Sequence, residues 1–393
     1  MAITSKNAGE WAELYVLIST LGEGVLYSAD AHFNKSATNT FPVISIEMQK
    51  TGQPAGAEIP IKYIVDPASQ TITIESEGVS ASIRMSYFRR NADRFFKIIS
   101  TRAGRAFPVP EITPVLNKLK NPIVKQSSSK KADIHIVIHD VMTGFENEVG
   151  FSIKSKHGRP STLVNASGQT LFQYRITDAS NPGTPTNNKQ AAQNALSKNT
   201  KSPDGSVIKI GPKERVEKLY KAGFDLEFVE IKKFQFRENV QIIDSSLDLI
   251  LAECLKICLG ESKSSVTEIV QIIAQRDPCG FKSTDPNRVH DYYKYKMKRL
   301  LVDAALGMQP KQPWAGVYDA SGGYIVVKET GDVVCFHLYN WNALQDYLFM
   351  NTKFETASST SGGNKKSFNY ALYYEDQNTQ ESMMDICLQL RFK

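Results

Sequence analysis

Apolar residues recur at helical spacing over residues 8 to 21, where Trp11, Leu14, Tyr15, Ile18 and Leu21 share one face and Gly22 and Gly24 mark the end. The period then drops to two. PVISIEM, IPIKYIV and QTITIES alternate as strands, with Gly52 and Asp66-Pro67 at the turns between them. A stretch rich in Ser and Ala, 80 to 86, leads into YFRRNADRFFKIISTRAGRAF, where aromatics recur at core spacing. A short helix is expected over 110 to 120, with Pro110 and Pro114 near its start. Two more alternating runs, 133 to 139 and 149 to 154, flank Met142-Thr143-Gly144 and predict a hairpin. Residues 162 to 174 are expected to pack behind it as a helix or irregular segment. The run SNPGTPTNNKQAAQNALSKNTKSPDG reads as a long flexible loop. Beyond it, PKERVEKLYKAG predicts a helix, FDLEFVEIKKFQF a strand, and residues 244 to 260, 264 to 275 and 288 to 307 helices. The end of the chain turns β-rich. YIVVKE and VVCFHLY are joined by the turn signal Thr330-Gly331-Asp332, NALQDYLF is a short helix, FETASSTSGGNKKSF a loop, and SMMDICLQLRFK a closing strand.

With 393 residues and 41% apolar content there is room for a large core and for one to three domains. The net charge of +6 is mildly basic and compatible with a nucleic-acid partner. No apolar run approaches the ~18 residues of a membrane span, and MAITSKNAGEW lacks the regions of a signal peptide. Five cysteines, an odd number without a spacing framework, read as reduced thiols of a cytoplasmic protein. Cys254 and Cys258 lie one helical turn apart with no CxxC or HxxxH partner, which points to core packing rather than zinc. No Ser-His-Asp order, Walker loop or dinucleotide fingerprint is present. Acyl transfer, ATP hydrolysis and redox chemistry all lose support.

The hairpin carries the candidate chemistry. Pairing about Thr143 and Gly144 sets Asp133 opposite Lys154 and His135 opposite Ser152, with partner Cβ atoms about 5 Å apart. Two readings stay open on spacing alone. One is a solvated cross-strand ion pair of small energetic weight. The other is metal-dependent phosphodiester hydrolysis: Asp133 holds Mg²⁺, which polarises the phosphoryl oxygen and acidifies a water, while Lys154 orients or deprotonates that water and offsets charge growing on the phosphorus.

Asp133 with Ser152-Ile-Lys154 resembles a degenerate PD-(D/E)XK nuclease core, with Ser152 where an acid usually stands. The segments GEWAELYVLI, SKHGRPSTLVNAS and GYIVVKETGDVVCFHLYNWNALQDYLFMNTKFETASSTS, in this order, resemble type II restriction endonucleases of the HpaII-like family. The resemblance implies an α/β (α+β) fold: a restriction-endonuclease-like core with a mixed sheet flanked by helices, and helical and β-rich additions for DNA recognition. It implies Mg²⁺-dependent cleavage of double-stranded DNA at a short palindrome, CCGG for the namesake. With that come a homodimer matched to the palindrome, a functionally paired methyltransferase, and a bacterial or archaeal cytoplasm. Two other classes remain, a repair or junction nuclease of the same fold and a non-catalytic DNA-binding protein. The expected organisation is a nuclease core over 1–178, a flexible loop over 179–210, a helical part over 211–310 and a β-rich recognition part over 311–393.

Ser152 leaves this site one carboxylate short. No Asp or Glu occurs from 155 to 177, and Glu148, six residues before Lys154 on one strand, is roughly 20 Å away. The first helix is left, and the resemblance to the wider nuclease fold implies that a Glu there reaches the metal, with Glu13 as the preferred ligand and Glu10 as the second. Ordinary first-turn acids favoured by the helix dipole are the alternative. The family pattern adds the Ile153 carbonyl as a third oxygen. Candidate DNA contacts are Lys156 and Arg159 after the catalytic strand, Asn165 and Gln169 beyond them, and Lys353, Ser358, Thr360 and Lys365 around the late loop. The bland readings for these are basic or capped turns and a mobile surface loop. Arginines interleaved with the aromatics of 84 to 105, and Lys294 and Lys298 on the helix of 288 to 307, are either phosphate contacts or solvated faces.

Overall fold

A computed structural model describes residues 5–30, 33–51, 57–102, 106–123, 132–141, 144–156, 160–201, 206–281, 283–285, 287–356 and 370–393. The chain is a mixed α/β protein whose backbone falls into two compact units. The first comprises residues 1–161, 305–307 and 318–347, and the second 162–304, 308–317 and 348–393. These units cut across the contiguous blocks expected from the sequence. A parallel strand pair needs a long connection between its members, and here that connection carries residues 162–304 and 308–317 of the second unit, while 348–393 follows it.

The first unit opens with helix α1, Ala8–Glu23. Asn7 accepts the Glu10 amide at 3.0 Å, and Glu10 Oε2 accepts the Asn7 amide at 2.9 Å, a reciprocal capping box. Gly24 closes the helix at φ +70° with its N–H on the Thr20 carbonyl. The expected single apolar face is broader in fact. Ala12, Val16, Leu17 and Thr20 are buried along with Trp11, Leu14, Tyr15, Ile18 and Leu21, so α1 is a core helix enclosed on most sides.

Strands β1 (Val25–Ala29), β2 (Lys35–Thr51), β3 (Glu58–Asp66), β4 (Thr71–Ser76) and β5 (Val79–Arg84) follow, then helix α2, Met85–Thr101. The hairpin is β6 (Ile134–His139) and β7 (Glu146–Ser155), and the late pair is β8 (Gly323–Val327) and β9 (Val333–His337). All nine belong to one mixed sheet in the order β1-β9-β8-β7-β6-β2-β3-β4-β5. The long β2 bulges between Val43 and Ser45. Its first half pairs with β1 and its second with β6 and β3, so the pairings also close from β1 back to β2.

Helix α2 packs on α1, with Phe95 edge-on to Trp11 at 5.8 Å. Gly22 lets the helices touch, since a Cβ there would lie 2.8 Å from the Arg89 backbone nitrogen. The α2 arginines divide. Arg89 binds the Gly22 carbonyl at 2.9 Å and Glu23 at 3.4 Å, and Arg102 binds Glu111 at 2.8 Å, while Arg90 and Arg94 face solvent. Phe151, Ile153, Ile325, Val327 and Cys335 turn one sheet face into the core beneath these helices. The alternate residues Ser152, Lys154, Tyr324 and Phe336 point the other way.

The second unit holds a four-stranded antiparallel sheet in the order Phe224–Ile231, Leu171–Asp178, Ser382–Cys387, Tyr373–Glu375, and a three-stranded one of Thr352–Phe354, Leu390–Phe392 and Thr162–Val164. Several expectations change here. Residues 162 to 174 are not helical: Thr162–Val164 and Leu171–Asp178 are strands, the latter central in its sheet. The stretch expected as a loop holds helix Lys189–Ala195, capped by Asn188, and the short strands Asn199–Lys201 and Val207–Lys209. The strand expected through KKFQF stops at Ile231. Phe236, Asn239 and Val240 then bury at helical spacing in Phe234–Ile243. Among the described residues no helix is long and apolar enough to cross a membrane.

Candidate metal centre on the β6–β7 hairpin

The hairpin forms, but in a different register from the one expected. Ile134 lies opposite Phe151 and His135 opposite Gly150, so Asp133 stands level with Ser152 rather than with Lys154. The cause is the turn. Asp140 N–H bonds the Phe145 carbonyl and Gly144 N–H the Asp140 carbonyl, a closure one residue out of step with the expected pairing; Met142 and Thr143 lie outside the described residues. His135 meets Glu148 at 3.5 Å instead of facing Ser152. Moving the turn centre by one residue shifts the pairing by two. Facing is therefore conserved, and Asp133, Ser152 and Lys154 still share one side.

Asp133 is tethered through a single oxygen. Its Oδ2 accepts the Ile153 amide at 2.6 Å and the Ser152 hydroxyl at 3.2 Å, and Lys154 Nζ stands 3.9 Å away. Lys154 Nζ donates to Ser152 Oγ at 2.9 Å and to the Ile153 carbonyl at 3.1 Å. Ser152, 1% exposed, is thus the neutral bridge between acid and ammonium. Beneath them lies Tyr324, the register partner of Ser152 on β8, with Lys154 Nζ 5.5 Å above its ring. Burial pushes the Tyr324 phenol well above its usual range, and the Asp133 charge adds to this. Nothing in the sequence singled Tyr324 out. It was one aromatic in an apolar strand, and its role follows from the parallel β7–β8 pairing, which local sequence does not encode.

Glu13 completes the group. It is the only Asp, Glu, Lys or Arg between Trp11 and Gly22. Burial, and then the nearby Asp133 charge, raise its pKa to about 8, with Lys154 pulling the other way. Its Oε2 is shut off from solvent and has no hydrogen-bond partner among the described residues. A buried carboxyl oxygen without a partner is costly, and this one faces the charges of Asp133 and Lys154. Glu10 differs, because its carboxylate closes the capping box at the helix start.

The donors present are hard oxygens: Oδ1 of Asp133, which has no hydrogen bond among the described residues, Glu13 Oε2 and the Ile153 carbonyl. Among the described residues no group of three or more His, Cys, Asp or Glu side chains could hold a metal alone. One or two carboxylates, with water and substrate phosphate for the rest, is what Mg²⁺ takes. The residues fit that ion and give no soft ligand for zinc.

Of the expected DNA contacts, Lys156 follows β7, its amide on the Val327 carbonyl and its ammonium 4.6 Å over the Phe33 ring. Asn165, Gln169 and Lys353 belong to the second unit. Asn165 is exposed, the Gln169 amide caps onto Ser167 Oγ at 3.2 Å, and Lys353 pairs with Arg391 between strands. Arg159, Ser358, Thr360 and Lys365 lie outside the described residues. In the helix Asn287–Leu306, Tyr293 is buried and Tyr295 is 61% exposed.

The family model described as HpaII restriction endonuclease matches residues 7–392. The chain is 36% identical over 358 residues to the type II restriction enzyme HpaII of Haemophilus parainfluenzae, covering 91% of this chain and 92% of that one. No solved structure matches the chain.

Proposed function

The chain belongs to the HpaII restriction endonuclease family, and from that footing we propose that it cuts both strands of duplex DNA at a short, CCGG-like palindrome with Mg²⁺ at the β6–β7 hairpin. The observation that carries this reading is Glu13: an acid on a core helix, its Oε2 buried and unpartnered among the described residues, close enough to Asp133 and Lys154 to feel their charges. A structural acid would be paired. The core around it is proposed to be of the PD-(D/E)XK kind, with the acid displaced from strand β7 to helix α1 and Ser152 left as a bridge.

Asp133, Glu13 and the Ile153 carbonyl are the residues that would hold the ion. When bound, it supplies Lewis acidity toward the scissile phosphoryl oxygen and lowers the pKa of a water. Asp133 stays fixed because Oδ2 is occupied by the Ile153 amide, leaving Oδ1 for ligation. Glu13 keeps its proton to about pH 8 in the ion-free site and gives it up on ligation. Lys154, held by Ser152 and the Ile153 carbonyl, would orient the attacking water by donating an N–H and balance the charge gathering on the phosphorus, while the water's proton leaves to solvent. The product ends are a 5′-phosphate and a 3′-hydroxyl. A homodimer, a partner methyltransferase protecting the host site, and a bacterial or archaeal cytoplasm belong to the same proposal.

The test is direct. Incubation with mixed-sequence plasmid and Mg²⁺ should give discrete bands that EDTA abolishes, and sequencing the ends should show one palindrome. A smear would point instead to a non-specific nuclease of this fold, and intact plasmid to a DNA-binding protein without cleavage.

A further inference from the structure

Beyond Lys154, the sheet face that carries the hairpin's charges continues into a second cationic group that the chemistry above does not use. Lys156 and Lys328 follow the Ser155–Val327 pair at the ends of β7 and β8, and they lie on the same face as Lys154. Both ammoniums sit over one ring: Lys156 Nζ is 4.6 Å and Lys328 Nζ 5.6 Å from the centroid of Phe33. Lys156 Nζ is also 6.0 Å from the Tyr347 ring, and Lys328 keeps a loose ion pair with Asp332 at 3.7 Å.

Phe33 is built to stay where it is. Its ring stacks on Tyr347 at 5.4 Å and 13° and on Phe336 at 5.9 Å and 28°, and those two rings, both buried, stack on each other at 4.3 Å. Its backbone is in the left-handed region at φ +73°, strained for a bulky side chain. The turn from Asp30 to Asn34 holds it there: Phe33 N–H bonds the Asp30 carbonyl at 3.0 Å, and Asn34 N–H bonds Asp30 Oδ1 at 2.8 Å. Strain kept by a closed turn, and used to put a half-buried aromatic under two lysines beside a catalytic strand, suits a binding role better than a packing one. A solely structural Phe would be buried, and two like charges would not be gathered on its face.

We propose that Lys156 and Lys328, held over Phe33, form a seat for a DNA backbone phosphate one to two nucleotides from the scissile bond on the same strand. The inference rests on the nuclease reading for the position of that bond. Lys154 and Lys156 are two residues apart, about 6.6 Å along a strand, so a strand whose scissile phosphate lies at Lys154 brings a neighbouring phosphate to Lys156. The ring limits the lysines' freedom before DNA arrives, and their charge is offered at one place rather than along a solvated surface. A phosphate contact of this kind fixes register and carries no sequence information.

Two measurements test it. In EDTA, with no cleavage, the affinity of wild type for a mixed-sequence duplex is followed against NaCl concentration. Lys156→Gln and Lys328→Gln should each lower the slope of log K against log salt by about 1. Phe33→Leu, which removes no charge, should still weaken binding several-fold. In the second measurement, the duplex that wild type cuts carries neutral methylphosphonates at single positions. Substitution one to two nucleotides from the cut should weaken wild type about tenfold and leave the Lys156→Gln/Lys328→Gln double variant unaffected. An unchanged salt slope in folded variants, or an equal methylphosphonate penalty in wild type and double variant, overturns the seat. Absence of any cutting by wild type sinks the nuclease reading instead, and the salt-slope measurement still decides whether these lysines meet phosphate.

Discussion

Asp385 and Glu13 both lie in buried surroundings near a lysine, and they are treated in opposite ways. Asp385, in the second unit, has both oxygens filled: Oδ1 accepts the Tyr374 hydroxyl at 2.7 Å and Oδ2 accepts Lys232 at 2.9 Å. Tyr374 is itself held by the Gln173 amide at 2.7 Å, and burial followed by the bond to Asp385 raises its pKa to about 12. Glu13, in the first unit, has a buried oxygen with no partner and a pKa of about 8. The first arrangement satisfies every polar group and fixes three strands of a sheet. The second leaves an unmet demand that folding alone does not answer. Polar groups that need something from outside mark function more sharply than those that are merely charged.

That contrast can be broken in several ways. Lys154→Ala should reduce cleavage about 10³-fold or more in single-turnover assays while DNA binding in Ca²⁺ is retained. Cleavage at near wild-type rate in this variant would remove Lys154 from the chemistry. Asp133→Asn should be as inactive and should also need more Mg²⁺. Glu13→Gln should cost about 10²-fold in rate, yet the ion-free protein should be as stable as wild type or more so, since at neutral pH Glu13 must take up a proton on folding and Gln need not. Asp385→Asn should do the reverse. It should destabilise by about 1–3 kcal/mol in urea titration, and the folded fraction should cut at the normal rate.

A subtler prediction is the pH dependence of ion-free stability. The folded pKa of Glu13, about 8, lies above its ordinary value of 4.5, so the folded state holds the proton more tightly than the unfolded one. The resulting stabilisation is whole below about pH 4.5 and is lost as pH climbs through about 8, a few kcal/mol at most. Melting curves in EDTA should therefore show wild type falling over that window relative to Glu13→Gln. Parallel pH profiles for the two would mean that Glu13 is already ionised and solvated. The smallest effect expected is that of Ser152→Ala, about tenfold in kcat with KM little changed, because Lys154 keeps the Ile153 carbonyl but loses its bridge to Asp133.

Much of this was legible beforehand. The hairpin, the late strand pair and α1 could be read from period and turn residues, and Glu13 from the lack of any other acid near Lys154. The register could not, because it is set by which residues close the turn, and Met142-Thr143-Gly144 permits more than one centre. Leu171–Asp178 was missed although Phe172, Tyr174 and Ile176 alternate with Gln173, Arg175 and Thr177, because that alternation is short and its polar face is largely buried in the middle of a sheet. Tyr324, Phe33 and Lys328 were invisible for a different reason. Each gains its role from a neighbour far away in the chain, across the parallel β7–β8 pair or around the β1–β2 turn.

The bond from the Ile153 amide to Asp133 has a practical consequence. One backbone proton is pinned to the carboxylate proposed to hold the ion, at 2.6 Å, while its own carbonyl receives Lys154. Its nuclear resonance should lie far downfield and move first when divalent cations are titrated in. A single amide could thus report loading of the centre in the intact protein, with no DNA present and no bond cut.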